Sequence, residues 1–154
     1  MKQVVKVLRM TKNSKQASAG TVELTVLVRP VVASRPRVTR WGTYYSKTYK
    51  AYREAADAAI PRSTRPALTG DLKCTIEFAC YKPKSTKRSN PNGDIDNYVK
   101  AILDAVVGQK AATKTPCKLK GYIEDDMQIT ELYALKRWVF PNEEPHTRIT
   151  IEQL

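Results

Sequence analysis

From Leu72 to Cys80 the apolar residues fall on every second position. Leu72, Cys74, Ile76, Phe78 and Cys80 alternate with Lys73, Thr75 and Glu77. A period of two marks a strand with one face in a core, and it commits the chain to a sheet. Val22, Leu24, Val26 and Val28 repeat the pattern against Glu23, Thr25 and Arg29, closed by Pro30. Helical spacing intervenes twice. Ser46 suits the cap of a helix reaching about Ile60, before Pro61, with Tyr49, Tyr52, Ala56 and Ala59 turned inward. A second helix from about Asp96 to Val107 would bury Val99, Ile102, Leu103, Val106 and Val107 and stop at Gly108. Met127 to Phe140 reads as one long strand or two, Pro141 to Pro145 as a hairpin connection, and Thr147 to Ile151 as a last strand. The order, about β-α-β-α-β-β, predicts an α+β fold: a small two-layer sandwich whose mixed β-sheet carries two main helices on one face.

At 154 residues and 42% hydrophobic content, the chain can bury one real core. Residues 21–154 read as a single domain. Residues 1–20 read as an N-terminal extension, either an edge strand or a basic arm. No apolar run approaches the roughly 20 residues of a membrane span, and no signal-peptide core opens the chain. The expectation is an unexported protein of a reducing cytoplasm, without a membrane partner. Cys74, Cys80 and Cys117 are odd in number and form no CxxC pair, which argues against a disulfide scaffold or a zinc site. Cys74 and Cys80 share one strand face and read as buried free thiols. A single histidine, His146, cannot build a histidine-rich metal site.

Charge is distributed unevenly. The formal net charge is +12, and such a chain attracts polyanions wherever its cations cluster. The first 50 residues hold eleven Lys or Arg against one acid, and the residues after 100 hold seven against eight. The acids therefore concentrate away from the basic third, at Asp94, Asp96 and Asp104 and at Glu124-Asp125-Asp126. Asp94 and Asp96 are two apart, so in extended backbone both carboxylates can converge on one ion. Lys100 follows Asp96 by four residues and Asp104 continues that row. Asp125 and Asp126 are expected to begin a strand and to close the site from across the sheet. An all-oxygen donor set calls for a hard cation, Mg²⁺ or Mn²⁺, which would activate water and offset charge on a phosphodiester. Lys100 would neutralise the scissile phosphate or hold the attacking water. A plainer reading stands beside it: Asp96 as a helix-start acid, and Asp96–Lys100–Asp104 as a solvated row of ion pairs.

Three segments resemble one known family, the RusA-type Holliday junction resolvases of bacteria and their phages. Arg35-Pro36-Arg37 with Tyr44-Tyr45 resembles its RPR element. Asp94-Ile95-Asp96-Asn97-Tyr98-Val99-Lys100-Ala101-Ile102-Leu103-Asp104-Ala105 resembles its DxDNxxKxxxDAL motif, with Val106 where leucine is usual. Asp125-Asp126-Met127-Gln128-Ile129 resembles its DDxQV segment. In order and spacing these span roughly Thr21 to Ile151. The resemblance implies a homodimeric endonuclease that nicks four-way DNA junctions symmetrically with Mg²⁺, or Mn²⁺ in its place, and without a small organic cofactor. It implies metal binding by Asp94, Asp96 and Asp126, catalysis by Lys100, and support from Asp125. Asn97 and Asp104 match the motif as supporting residues, Asp104 by orienting Lys100. Residues 1–20 precede the family's usual start, and the loop 109–121 is longer and richer in lysine than the family pattern.

Two basic segments complete the reading. Arg35, Arg37 and Arg40 surround Trp41, Tyr44 and Tyr45 and are expected to contact DNA phosphates, with the aromatics either stacking on exposed bases or packing in the core. Lys82, Lys84, Lys87 and Arg88 lie directly upstream of Asp94 and are expected to guide the scissile strand. The competing functions are a non-catalytic basic DNA- or RNA-binding protein and a related nuclease of forks or flaps.

Overall fold

The computed structural model describes residues 20–109 and 118–154. The expected N-terminal extension and most of the lysine-bearing loop, with Cys117, lie outside the described residues. The chain runs through β1 (Thr21–Val26), β2 (Arg37–Thr39), β3 (Gly42–Tyr44), α1 (Lys47–Ala59) and β4 (Leu72–Cys80). It continues through α2 (Ile95–Val107), the two-residue strands β5 (Gly108–Gln109) and β6 (Lys118–Leu119), a 3-10 turn (Asp126–Gln128), β7 (Ile129–Trp138) and β8 (His146–Gln153). The main elements keep the expected order. Ser46 Oγ accepts the Tyr49 N–H at 3.2 Å to start α1, and Gly108, at φ 85°, ends α2.

The main sheet is mixed and four-stranded, in the order β1-β8-β4-β7. β4 pairs antiparallel with β8 and parallel with β7. Its alternation buries Leu72, Cys74, Ile76 and Phe78 on one face, opposite Ile149 and Ile151 of β8. Tyr49, Tyr52 and Ala56 from α1 and Ile102 and Val106 from α2 join them in one cluster. The far face is polar. Arg137 binds Glu77 at 2.7 Å there, and Lys73 faces Glu152 at 3.8 Å. A small two-layer α+β sandwich with both helices on one face is therefore what forms. Cys74 and Cys80 are buried free thiols, and burial pushes the Cys74 thiol up to about 11. His146 is buried at the start of β8 with Nδ1 2.9 Å from the Glu144 carbonyl, a packing position. Among the described residues no helix is long and apolar enough to cross a membrane.

The connection expected to be a hairpin is not one. β7 and β8 both pair with β4, so residues 139–145 step over an intervening strand, about 10 Å across. The cause is burial: Ile149 and Ile151 are fully enclosed only when β8 lies against Cys74 and Ile76. Arg137 folds the connection back, bonding Glu143 at 2.7 and 2.8 Å.

One topological consequence places the site. β4 and β7 are parallel neighbours joined through α2, so α2 runs back against both strands. Its first turn lies at their C-terminal ends and its last turn at their N-terminal ends.

Candidate active site

Asp94 occupies the N-cap position of α2, with φ −79° and ψ 141°, yet its carboxylate makes no capping hydrogen bond. Both Asp94 and Asp96 are exposed. The backbone beneath them is firmly held. Gly93 has φ 88°, and a Cβ there would lie 2.5 Å from Val32 Cγ1. Tyr98 OH donates to Asn92 O at 2.8 Å, and Lys136 Nζ donates to Pro91 O at 2.9 Å and also to Gly93 O.

The second acidic group lies at the other end of α2. Asp125 and Asp126 do not begin a strand; Asp125 caps the 3-10 turn that precedes β7, accepting from Met127 N at 3.0 Å. Gln128 completes a capping box. Its Oε1 accepts from Glu124 N at 2.8 Å and Asp125 N at 3.2 Å, while its Nε2 donates to Leu68 O at 3.0 Å. The turn is thus tied to the loop before β4. Asp104, Asp125 and Asp126 line a cavity of about 420 Å³ together with Tyr45 and Arg53. A hydrogen bond shared with Asp125 pushes the Asp126 carboxyl above its ordinary range, burial and the charges of Asp125 and Asp104 push the same way, and Lys100 opposes them. Lys100 Nζ lies 3.6 Å from Asp104 Oδ2, and Tyr49 OH donates to the same oxygen at 3.4 Å. Burial and the Asp104 charge raise Tyr49 to about 12, so the phenol remains a donor.

The structure brings Asp125 and Asp126 together with Asp104 and, through its charge, Lys100. Asp94 and Asp96 are not part of that group. At 1.5 Å per residue, α2 separates Asp96 from Asp104 by about 12 Å along its axis. Among the described residues no three His, Cys, Asp or Glu side chains converge closely enough to hold a metal ion. The expected meeting of Asp94, Asp96 and Asp126 in one pocket does not occur within a single chain. The antiparallel return of α2 is the reason.

The turn-rich stretch after Arg35 forms a hairpin whose side chains all face solvent. Arg40 stacks over Trp41 at 4.7 Å, and Trp41 is 78% exposed. Arg35, Arg37 and Arg40 are exposed with it. Tyr45 leans back onto Tyr49 edge-on, at 5.4 Å between centroids. Lys82, Lys84, Lys87 and Arg88 are exposed on the loop after β4, which Trp138 Nε1 anchors by donating to Arg88 O at 3.0 Å. The family model described as endodeoxyribonuclease RusA matches residues 28–152. The chain belongs to the RusA endodeoxyribonuclease family. That makes it an endodeoxyribonuclease, a hydrolase of DNA phosphodiester bonds. No curated protein matches the chain significantly.

Within this RusA-family domain, three residues carry parts at the site that the sequence did not assign them, although Gln128 falls inside the DDxQV-like segment. Arg53 lines the acidic cavity with its guanidinium 5.5 Å from the Tyr45 ring and 5.8 Å from Tyr49. Gln128 holds the acidic turn, and the Asp-x-x-Gln spacing of a capping box was its signal. Lys136 holds the turn before Asp94; its signal was a lysine on the apolar parity of β7, in line with Leu132, Ala134 and Trp138.

Proposed function

We propose that this protein resolves four-way DNA junctions by hydrolysing a phosphodiester on each of two opposed strands. One observation carries the reading. Asp94 stands where a carboxylate normally caps a helix, and its oxygens are left out of that role. Two exposed carboxylates on a pinned backbone, inside an otherwise basic chain, are ligands in waiting for a hard cation.

The donor chemistry fits Mg²⁺, with Mn²⁺ as substitute. Every candidate ligand is a carboxylate oxygen, and the crowded Asp125–Asp126 pair gains from a cation beside it. Asp94, Asp96 and Asp126 would hold the ion, with Asp125 supporting. Such an ion supplies a water of lowered pKa and offsets the charge of the reacting phosphate. Lys100, kept near Asp104, provides a fixed positive charge for that phosphate, and Arg53 adds a second across the cavity.

Each chain presents two incomplete acid sets at opposite ends of α2. A two-fold related pair of chains completes both sets at once, the first-turn acids of one protomer meeting the 3-10 turn of the other. This supports a homodimer and explains paired nicks from a chain with one motif. The hairpin arginines and the loop lysines contact phosphates, and Trp41 offers a stacking surface to a base exposed at the branch. The compartment is the cytoplasm where bacterial or phage DNA recombines. The deciding assay compares cleavage of a synthetic four-way junction, a fork and a linear duplex, with and without Mg²⁺. Symmetric nicks in the junction alone support the proposal. Equal cleavage of forks redirects it to a broader structure-selective nuclease, and metal-independent binding without cleavage leaves a binding protein.

A further inference from the structure

The three residues before Asp94 turn successive carbonyls inward onto side chains. Lys136 takes Pro91 O and Gly93 O, and Tyr98 takes Asn92 O. The Lys136 ammonium also lies 5.9 Å from the centre of the Tyr98 ring, which itself packs on Phe78 at 5.4 Å. Two residues along the same face of β7, Trp138 holds the upstream end of the loop at Arg88. Among the described residues no carboxylate lies within ion-pair distance of Lys136. Its whole donor capacity is therefore spent on this turn and the ring beneath it. An apolar residue would fill the same strand face as Ala134 does, and would leave two inward carbonyls unsatisfied.

The placement has a chemical effect beyond packing. Asp94 and Asp96 are exposed at the cap and first turn of α2, two residues apart. A lysine bonded to the carbonyl one residue before Asp94 holds the backbone from which that side chain springs. We propose that Lys136 is a positioning residue for phosphodiester hydrolysis, locking the Pro91–Gly93 turn so that Asp94 meets its metal ion in one orientation. This rests on Asp94 being a metal ligand. Groups that orient a ligand in this way change metal affinity by about 10–100-fold when removed.

The test uses the full chain and three variants. Lys136→Met keeps the stem and removes the ammonium, Lys136→Arg keeps charge and donors, and Asp94→Asn removes the ligand itself. Mn²⁺ binding is read by calorimetry, junction affinity without metal by titration, and Mg²⁺ dependence by single-turnover cleavage below the melting temperature. The methionine variant is expected to weaken Mn²⁺ binding about 10–100-fold and to raise the half-saturating Mg²⁺ by the same factor, with metal-free junction affinity unchanged. The arginine variant is expected to restore most of the loss. Wild-type Mn²⁺ binding and Mg²⁺ dependence in Lys136→Met overturn the proposal, whatever its melting temperature. If that variant does not fold, Tyr98→Phe replaces it, loosening the turn at Asn92 O alone. A smaller metal shift then supports the positioning role, and none overturns it. Asp94→Asn separates the two levels. Normal cleavage by it defeats the metal reading, whereas an inactive Asp94→Asn beside a normal Lys136→Met defeats the positioning role only.

Discussion

Mixing two dead variants discriminates between a site built in one chain and a site shared by two. Asp96 and Asp104 are eight residues apart on α2, about 12 Å along the axis. A hard cation takes its oxygen ligands at about 2.0–2.6 Å. That span exceeds the reach of one ion's ligand shell, and under the proposed function the partner chain supplies the missing side. Asp94→Asn and Asp126→Asn are each expected to abolish cleavage alone. After mixing in equal amounts and full subunit exchange, half of the dimers carry one chain of each kind. In a shared arrangement, every such heterodimer has one site with both lesions and one site intact. About a quarter of all sites return, and single-strand nicking recovers to about a quarter of wild type. Paired cuts do not return, because no dimer holds two intact sites. The assay is a four-way junction labelled on each strand, with heterodimer formation followed by a tag on one variant. No recovered nicking in a fully exchanged mixture would refute the reasoning.

Four further outcomes follow from individual contacts. Gly93→Ala forces a side chain into φ 88° and against Val32; a loss of about 2–4 kcal/mol is expected in chemical denaturation. Gln128→Ala strips the capping box from the acidic turn at a cost of about 1–2 kcal/mol, and should lower the maximal cleavage rate without altering metal-free junction binding. Arg37→Ala and Arg40→Ala should each reduce the slope of log affinity against log salt by about 1, measured by titration on a junction. Glu143 is held at about 2, below its ordinary 4.5, chiefly by its hydrogen bonds to Arg137. A depressed carboxylate stabilises the fold above pH 4.5 and loses that contribution as pH falls toward 2. Melting temperature should drop across that window in the wild type and fall less steeply in Glu143→Gln.

The elements with strict periodicity were legible from residues alone. β4 alternates from Leu72 to Phe78, and α1 and α2 carry apolar stripes between a serine or aspartate start and a clear stop. The β2–β3 hairpin was not, because a hairpin with no buried face leaves no alternating pattern to read. Partner choice was equally silent. The sequence around Pro141 looks like a tight turn, and only the burial of Ile149 and Ile151 against β4 explains why β8 leaves β7 behind. The same hidden fact governed the site. Spacing singled out Asp94, Asp96, Asp104, Asp125 and Asp126 as candidates, but the direction in which α2 returns decides which of them are neighbours. Lys136 acts on backbone carbonyls, and no spacing rule reveals where a carbonyl will point.

A helix with a different acid group at each end behaves as a ruler. One residue inserted into α2 turns everything beyond it by about 100° and lengthens the rod by about 1.5 Å. Asp104 would then swing off the wall it shares with Asp126, and Lys100 would lose its neighbour. Core positions on this helix can trade one apolar residue for another, while its length admits no such drift.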